Sequence, residues 1–254
     1  MVTRRLVTFL TAGFLGFVIA IANTPAAVGA GAKVAVLAFG LVGAQSVFES
    51  EAKGAAAILA QRLGAADVVV RANTKTRGDV TIATIGAALQ SAAAKLDHDN
   101  DLMVLVLTSH GSQDGVAIQA GRRVEILSPP ALAAMLARAG VRHRVVIVSA
   151  CYSGVFLTLA NDDTLVITAA DSEHSSFGCQ DKVKWTYFGD AFFNTALRRT
   201  ADLRGAFEEA RAIVRERERR NGFIPSNPQI AGGRNIDQLL ESKSGAQAAT
   251  GSPR

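Results

Sequence analysis

The stretch "LMVLVLTSHGS", residues 102–112, is apolar without a break from Leu102 to Leu107 and then turns abruptly small and polar. A strand with one wet face alternates apolar and polar residues. One that is apolar at every position is buried on both faces, as in a parallel sheet covered above and below by helices. The same character recurs outward along the chain. Lys33 to Phe39, Val145 to Val148 and Leu165 to Thr168 read as further buried strands, and Val68 to Val70 as a short one.

Helices are expected between them. Ser46 to Gly64 carries apolar Phe48, Ala52, Ala55, Leu59 and Leu63 at three- and four-residue spacings, and Thr81 to Leu96 is alanine-rich. Ser128-Pro129-Pro130 opens a third helix, ending near Gly140, with serine as cap and proline in the first turn. Val116 to Ile118 and Arg123 to Ile126, around Gly121, suggest a hairpin. Two helices close the pattern, about Thr186 to Arg199 and Asp202 to Arg220; the second is apolar at Leu203, Ala206, Phe207, Ala210 and Val214. Strand alternating with helix predicts an α/β sandwich with a mostly parallel sheet.

The chain of 254 residues, 49% hydrophobic and 19% charged, is enough for one domain after terminal segments are set aside. Arg4 and Arg5 precede an apolar run from Leu6 to Ala22, followed by Asn-Thr-Pro and small residues. That is the pattern of an export signal, and the run lies between a signal core of about 7–15 residues and a spanning helix of about 17–25. Residues 1–30 are therefore expected to be a signal peptide, cut at a small-residue site such as Val28-Gly29-Ala30, or an N-terminal membrane anchor. Either places the domain of residues 31–241 outside the cytoplasm: periplasmic or secreted, or held at the inner membrane through that segment alone. The polar tail 242–254 is expected to be disordered.

A net charge of +5 raises the question of nucleic acid, but the densest basic stretch, Arg211 to Arg220, interleaves Glu216 and Glu218 with its arginines. That is a solvated helix face, and with aromatics at 6% no nucleic-acid partner is expected. His98, His110, His143 and His174 are scattered, and Cys151 and Cys179 form no C-x-x-C pair, so no metal site is expected and no cofactor is called for. In an oxidising compartment a disulfide between the two cysteines is the plainest expectation.

In parallel sheets ligands bind beyond the carboxyl ends of the strands. Two strands end there suggestively: Leu102–Leu107 runs into Thr-Ser-His110-Gly111, and Val145–Val148 runs into Ser149-Ala150-Cys151. If the two are neighbours, about 4.8 Å apart, His110 and Cys151 share one edge. An imidazole there stabilises a thiolate and later protonates a leaving amine. The N–H groups of Gly111 and Cys151 are placed to hold the oxygen of a tetrahedral intermediate.

"LTSHGSQDG" at 107–115 and "VSACYSG" at 148–154 resemble the paired motifs of the legumain-like cysteine peptidases, peptidase family C13. The resemblance extends through "TLVITAADSEHSSFGC" (164–179), "TYFGDAFF" (186–193), "AFEEARAIVRERE" (206–218) and "SNPQIAGG" (226–233), and covers roughly Val47 to Leu240. It implies a caspase-like three-layer sandwich and a peptide or protein substrate. It also implies His110 as general base and acid, Cys151 as nucleophile and Gly111 in the oxyanion hole, with no orienting carboxylate required. Ser176 and Asp190 fall where the family places polar residues of the pocket for the residue before the scissile bond. Ser149 stands where the family carries a glutamate, and Glu49 near where it carries an arginine. A pocket with two carboxylates, Asp190 and Glu49, and the hydroxyls of Ser176 and Ser149, would accept lysine or arginine. With Cys151 as nucleophile, Cys179 becomes a packed thiol near the pocket rim. The same acyl-enzyme would serve a transamidase, and a non-catalytic binding module on this scaffold is the reading from another class.

Overall fold

The structure, a computed structural model, describes residues 31–250. The expected signal or anchor lies outside the described residues. In chain order the elements are β1 (Val34–Gly40), α1 (Ser46–Leu63), β2 (Asp67–Ala72), α2 (Ile82–Ala93), β3 (Leu102–Thr108), β4 (Gly111–Ser112), β5 (Gly115–Ala120), β6 (Arg123–Leu127), α3 (Pro129–Ala139) and β7 (His143–Ser149). A 3-10 turn follows, Ser153–Leu159, then β8 (Thr164–Thr168), α4 (Tyr187–Gly189) running into a π-helical segment Asp190–Ala196, α5 (Leu203–Asn221), β9 (Gln229–Gly232) and α6 (Arg234–Thr250).

The main sheet has the order β2-β1-β3-β7-β8-β9, parallel except for β9. Alternate residues of its strands supply two separate cores. Val34, Val36, Val104, Val106, Val145 and Ile147 meet α1, the π-helical segment, α5 and the start of α6. Leu37, Phe39, Leu105, Leu107, Val146 and Val148 meet α2, α3 and the 3-10 turn. The unbroken apolar runs are thus explained: each face of the sheet has its own layer of helices. β4, β5 and β6 form a separate antiparallel sheet beyond the end of β3.

Helix ends follow local chemistry. Ser128 caps α3, and Thr81 and Thr84 form a reciprocal capping box on α2. Gln45, at the start of α1, makes no side-chain cap; the first N–H of that helix, on Ser46, donates instead to Asp181 Oδ1 at 3.1 Å. Midway along α1, Gly54 lies flat against the Trp185 indole, and a methyl group there would overlap the ring.

Three expectations are revised. The helix expected over 186–199 has only one α-helical turn before the chain widens, with the Leu197 N–H reaching back to Phe192 O, and this carries Phe188, Phe192 and Phe193 together into the core. The edge strand β9 and the helix α6 were not anticipated. α6 continues through Thr250, into the segment expected to be disordered, because its Ile236 and Leu239 are buried and Lys243 Nζ donates to Ala32 O.

Candidate active site

β3 and β7 are neighbours in register, Thr108 opposite Ser149, and the Ser109 N–H donates to Ser149 O at 3.1 Å. Two residues past that pair stand His110 and Cys151, both partly exposed at the carboxyl edge of the sheet. Just beyond His110 the two chains touch: a Cβ on Gly111 would overlap the Cys151 carbonyl oxygen, so only glycine fits. Residues 110–111 and 150–151 are thereby fixed against each other through backbone.

The Phe48 ring meets the imidazole in a T-shaped contact, centroids 5.0 Å apart, and burial pushes the His110 pKa below the ordinary histidine value. An imidazole so held is neutral and ready to take a proton. The Cys151 thiol turns to the other wall of the cleft, where the Ser176 N–H donates to Sγ at 3.3 Å, Sγ donates to Ser176 O at 3.4 Å and Ser176 Oγ lies 3.7 Å away. No hydrogen bond joins thiol and imidazole in this conformation; rotation about χ1 of Cys151 is what would turn Sγ from Ser176.

That wall is built by the loop after β8. Tyr152, in the left-handed region at φ 54°, donates its N–H to His174 O, and Gly154 packs against the backbone of Asp171 and Ser172. His174 Nδ1 lies 2.8 Å from the Asp171 carboxylate, which also accepts from Asn227 Nδ2. The loop carrying Ser176 is thus tied both to the residue after the cysteine and to the chain before β9.

The other expected pocket residues are dispersed. Ser149 is 1% exposed, its hydroxyl turned into the protein beside Thr186 Oγ1 at 3.2 Å. Glu49 pairs with Lys53 at 2.8 Å and lies 4.0 Å from Arg77, in a hollow between α1 and the loop after β2. Asp190 accepts from Arg217 at 2.7 Å and from Asn194 at 2.8 Å. The two-carboxylate pocket is therefore not assembled. Position 49 falls on the solvent side of α1, and Asp190 already has a cation, the Arg217 guanidinium, which also lies 4.9 Å over the Tyr187 ring. Only Ser176, of those four, stands at the thiol.

Both cysteines are free. Cys179 packs against Val42, Val47 and Phe48, and burial, with Cys151 and Glu51 adding to it, pushes its thiol up to about 12. It is a protonated, packed thiol. Among the described residues no group of three or more His, Cys, Asp or Glu is placed to hold a metal ion.

Reading the sequence missed Glu51. It is fully buried, and its carboxylate accepts from Thr108 Oγ1 at 2.9 Å and from the Thr186 N–H at 2.7 Å. A signal was present: Glu51 stands three residues after Phe48 and four before Ala55, on the apolar stripe of α1, where a charge needs a reason. Arg217 and the His174–Asp171 pair left no such sign.

Compared with known proteins, residues 76–232 match the model of the Peptidase C13 family. Among solved structures the chain is similar to pro-sf-caspase-1, at 13% identity over 79% of this chain and 90% of that one, with a TM-score of 0.52. Caspase-1 from Spodoptera frugiperda matches at 14% identity over 66% and 70%, with a TM-score of 0.45. At such identity the first of these speaks for the fold, a caspase-like α/β sandwich. No curated protein matches the sequence.

Proposed function

Because the chain belongs to the peptidase C13 family, we propose that it is a cysteine endopeptidase that cuts peptide bonds through Cys151 and His110. The observation that carries this reading is the pairing of the two strand ends, with Gly111 seated on the Cys151 carbonyl. A side chain of each kind needed for acyl transfer stands at the same level of one cleft.

In the proposed reaction Sγ swings from Ser176 toward the imidazole, His110 takes its proton, and the thiolate attacks the substrate carbonyl carbon. The developing oxyanion lies against the N–H groups of Gly111 and Cys151. As the C–N bond breaks, His110 returns its proton to the departing amine, leaving a thioester on Cys151. Water, deprotonated by His110, then releases the acid and restores the thiol.

The test is turnover of a peptide panel by the wild type and by Cys151→Ala and His110→Ala, together with labelling by a thiol-reactive peptide probe. Probe incorporation at Cys151 and loss of turnover in both variants are expected; full turnover in Cys151→Ala would refute the mechanism. We further infer, from Arg4-Arg5 and the apolar run from Leu6 to Ala22, that the domain works outside the cytoplasm.

A further inference from the structure

We propose that Glu51 is a positioning residue: its buried carboxylate ties the ends of the strands that carry His110 and Cys151 to each other and to the segment that opens at Thr186. The inference rests on His110 and Cys151 being the reacting pair.

Glu51 is 0% exposed, and no basic side chain among the described residues pairs with it. Its oxygens meet neutral donors instead. Oε1 accepts from the hydroxyl of Thr108, the last residue of β3, and Oε2 from the N–H of Thr186, just before α4. The hydroxyl of Ser149, the last residue of β7, meets the same cluster through Thr186 Oγ1 at 3.2 Å. Thr108 and Ser149 are register partners, and each stands two residues before a member of the reacting pair. The carboxylate therefore holds the end of β3 directly and the end of β7 through Thr186. A third element is held by the same group: the Gly189 backbone lies so close that a Cβ there would overlap Oε2.

A residue chosen only to fill the stripe of α1 would be leucine or alanine. A buried carboxyl group is tolerated only where its oxygens find partners, and here they come from β3 and from the chain before α4. The helix then couples to the site twice, through Phe48 on the imidazole and through Glu51 under the strands. Burial pushes the Glu51 pKa up, and the hydrogen bonds made to it pull the other way.

The deciding variant is Glu51→Gln. Glutamine can keep an oxygen on the Thr186 N–H, but it then offers an NH₂ where Oε1 accepted from the Thr108 hydroxyl, so that hydroxyl must turn and lose its acceptor. Turnover number should fall about tenfold to hundredfold, as small misplacements of reacting groups do. KM should stay within about threefold, since no substrate contact is removed. The rate at which iodoacetamide alkylates Cys151, followed by peptide mapping across pH, should change as well, and that measurement needs no substrate.

A folded Glu51→Gln with kcat and alkylation profile within about twofold of wild type overturns the inference. If that variant does not fold, Thr108→Val removes the hydroxyl on Oε1 and Ser149→Ala the one that meets Thr186 Oγ1, each at nearly constant volume. Each should lower kcat, and the double variant by less than the product of the two effects, because all act through one carboxylate. An unchanged double variant is equally decisive against it. If the wild type cleaves no peptide yet the alkylation profile of Cys151 responds to Glu51→Gln, the peptidase reading falls while the positioning role stands.

Discussion

Gly111 is seated on Cys151: the space a side chain would occupy at residue 111 is taken by the carbonyl oxygen of residue 151. This contact sets how the two strand ends meet, and it leaves position 111 no room for even the smallest side chain. Gly111→Ala should force the loops apart and displace its N–H from the oxyanion. A loss of about 10²–10³ in kcat is expected from the missing donor, with about 1–3 kcal/mol of stability lost to overpacking. Steady-state kinetics and chemical denaturation check both, and wild-type kcat in this variant would remove Gly111 from the site.

Cys151→Ala and His110→Ala should each abolish turnover, and the double variant should be scarcely worse than either. Both side chains belong to strand-end segments and neither is fully buried, so folding should survive. Additive losses would mean that the two residues do not act as a pair.

The pH dependence follows from the burial of His110. Its imidazole is held below the ordinary value of about 6.5, so the neutral form that accepts the thiol proton persists to lower pH than in an exposed histidine. The acid limb of kcat/KM should therefore lie below about pH 6.5. Burial disfavours the charged form, so the stability His110 contributes is complete above the unfolded-state pKa. It is lost as pH falls through the lower folded-state value. A Tm series across that window should decline more steeply in the wild type than in His110→Ala.

Specificity should not follow the two-carboxylate expectation. With Glu49 turned to Lys53 and Asp190 engaged by Arg217, no uncompensated negative charge waits for a basic side chain. Matched peptides bearing Lys or Arg before the scissile bond should be cleaved no better than one bearing Asn. Arg217→Gln, which frees Asp190, should shift the ratio toward the basic peptides. A strong preference for Lys or Arg in the wild type would show that Asp190 serves substrate despite its arginine.

Cell fractionation checks the inferred location. The protein should be found in the periplasm or the medium, or on the outer face of the inner membrane, and recovery of soluble cytoplasmic protein with Met1 to Ala22 intact would exclude export.

The main sheet was legible because β1, β3, β7 and β8 are buried on both faces, which leaves short unbroken apolar runs bounded by small and polar residues. From those runs the meeting of His110 and Cys151 followed. β9 escaped notice because its four residues, Gln229 to Gly232, are only half buried and end in glycine. The π-helical segment escaped because its aromatic spacing, Phe188, Phe192 and Phe193, also satisfies an ordinary helix. The pocket assignments suffered most. Asp190 and Arg217 are 27 residues apart, Glu51 and Thr186 are 135 apart, and no local pattern announces either bond.

Distance from the thiol is a poor guide to which substitutions matter here. α1 presses Phe48 on the imidazole, sends Glu51 to the end of β3 and to Thr186, and packs Gly54 against Trp185. A methyl group at Gly54 would touch nothing in the cleft. It would press on an indole that directly precedes Thr186, the residue whose N–H holds Glu51, so the rate of bond cleavage becomes a gauge of how that indole sits.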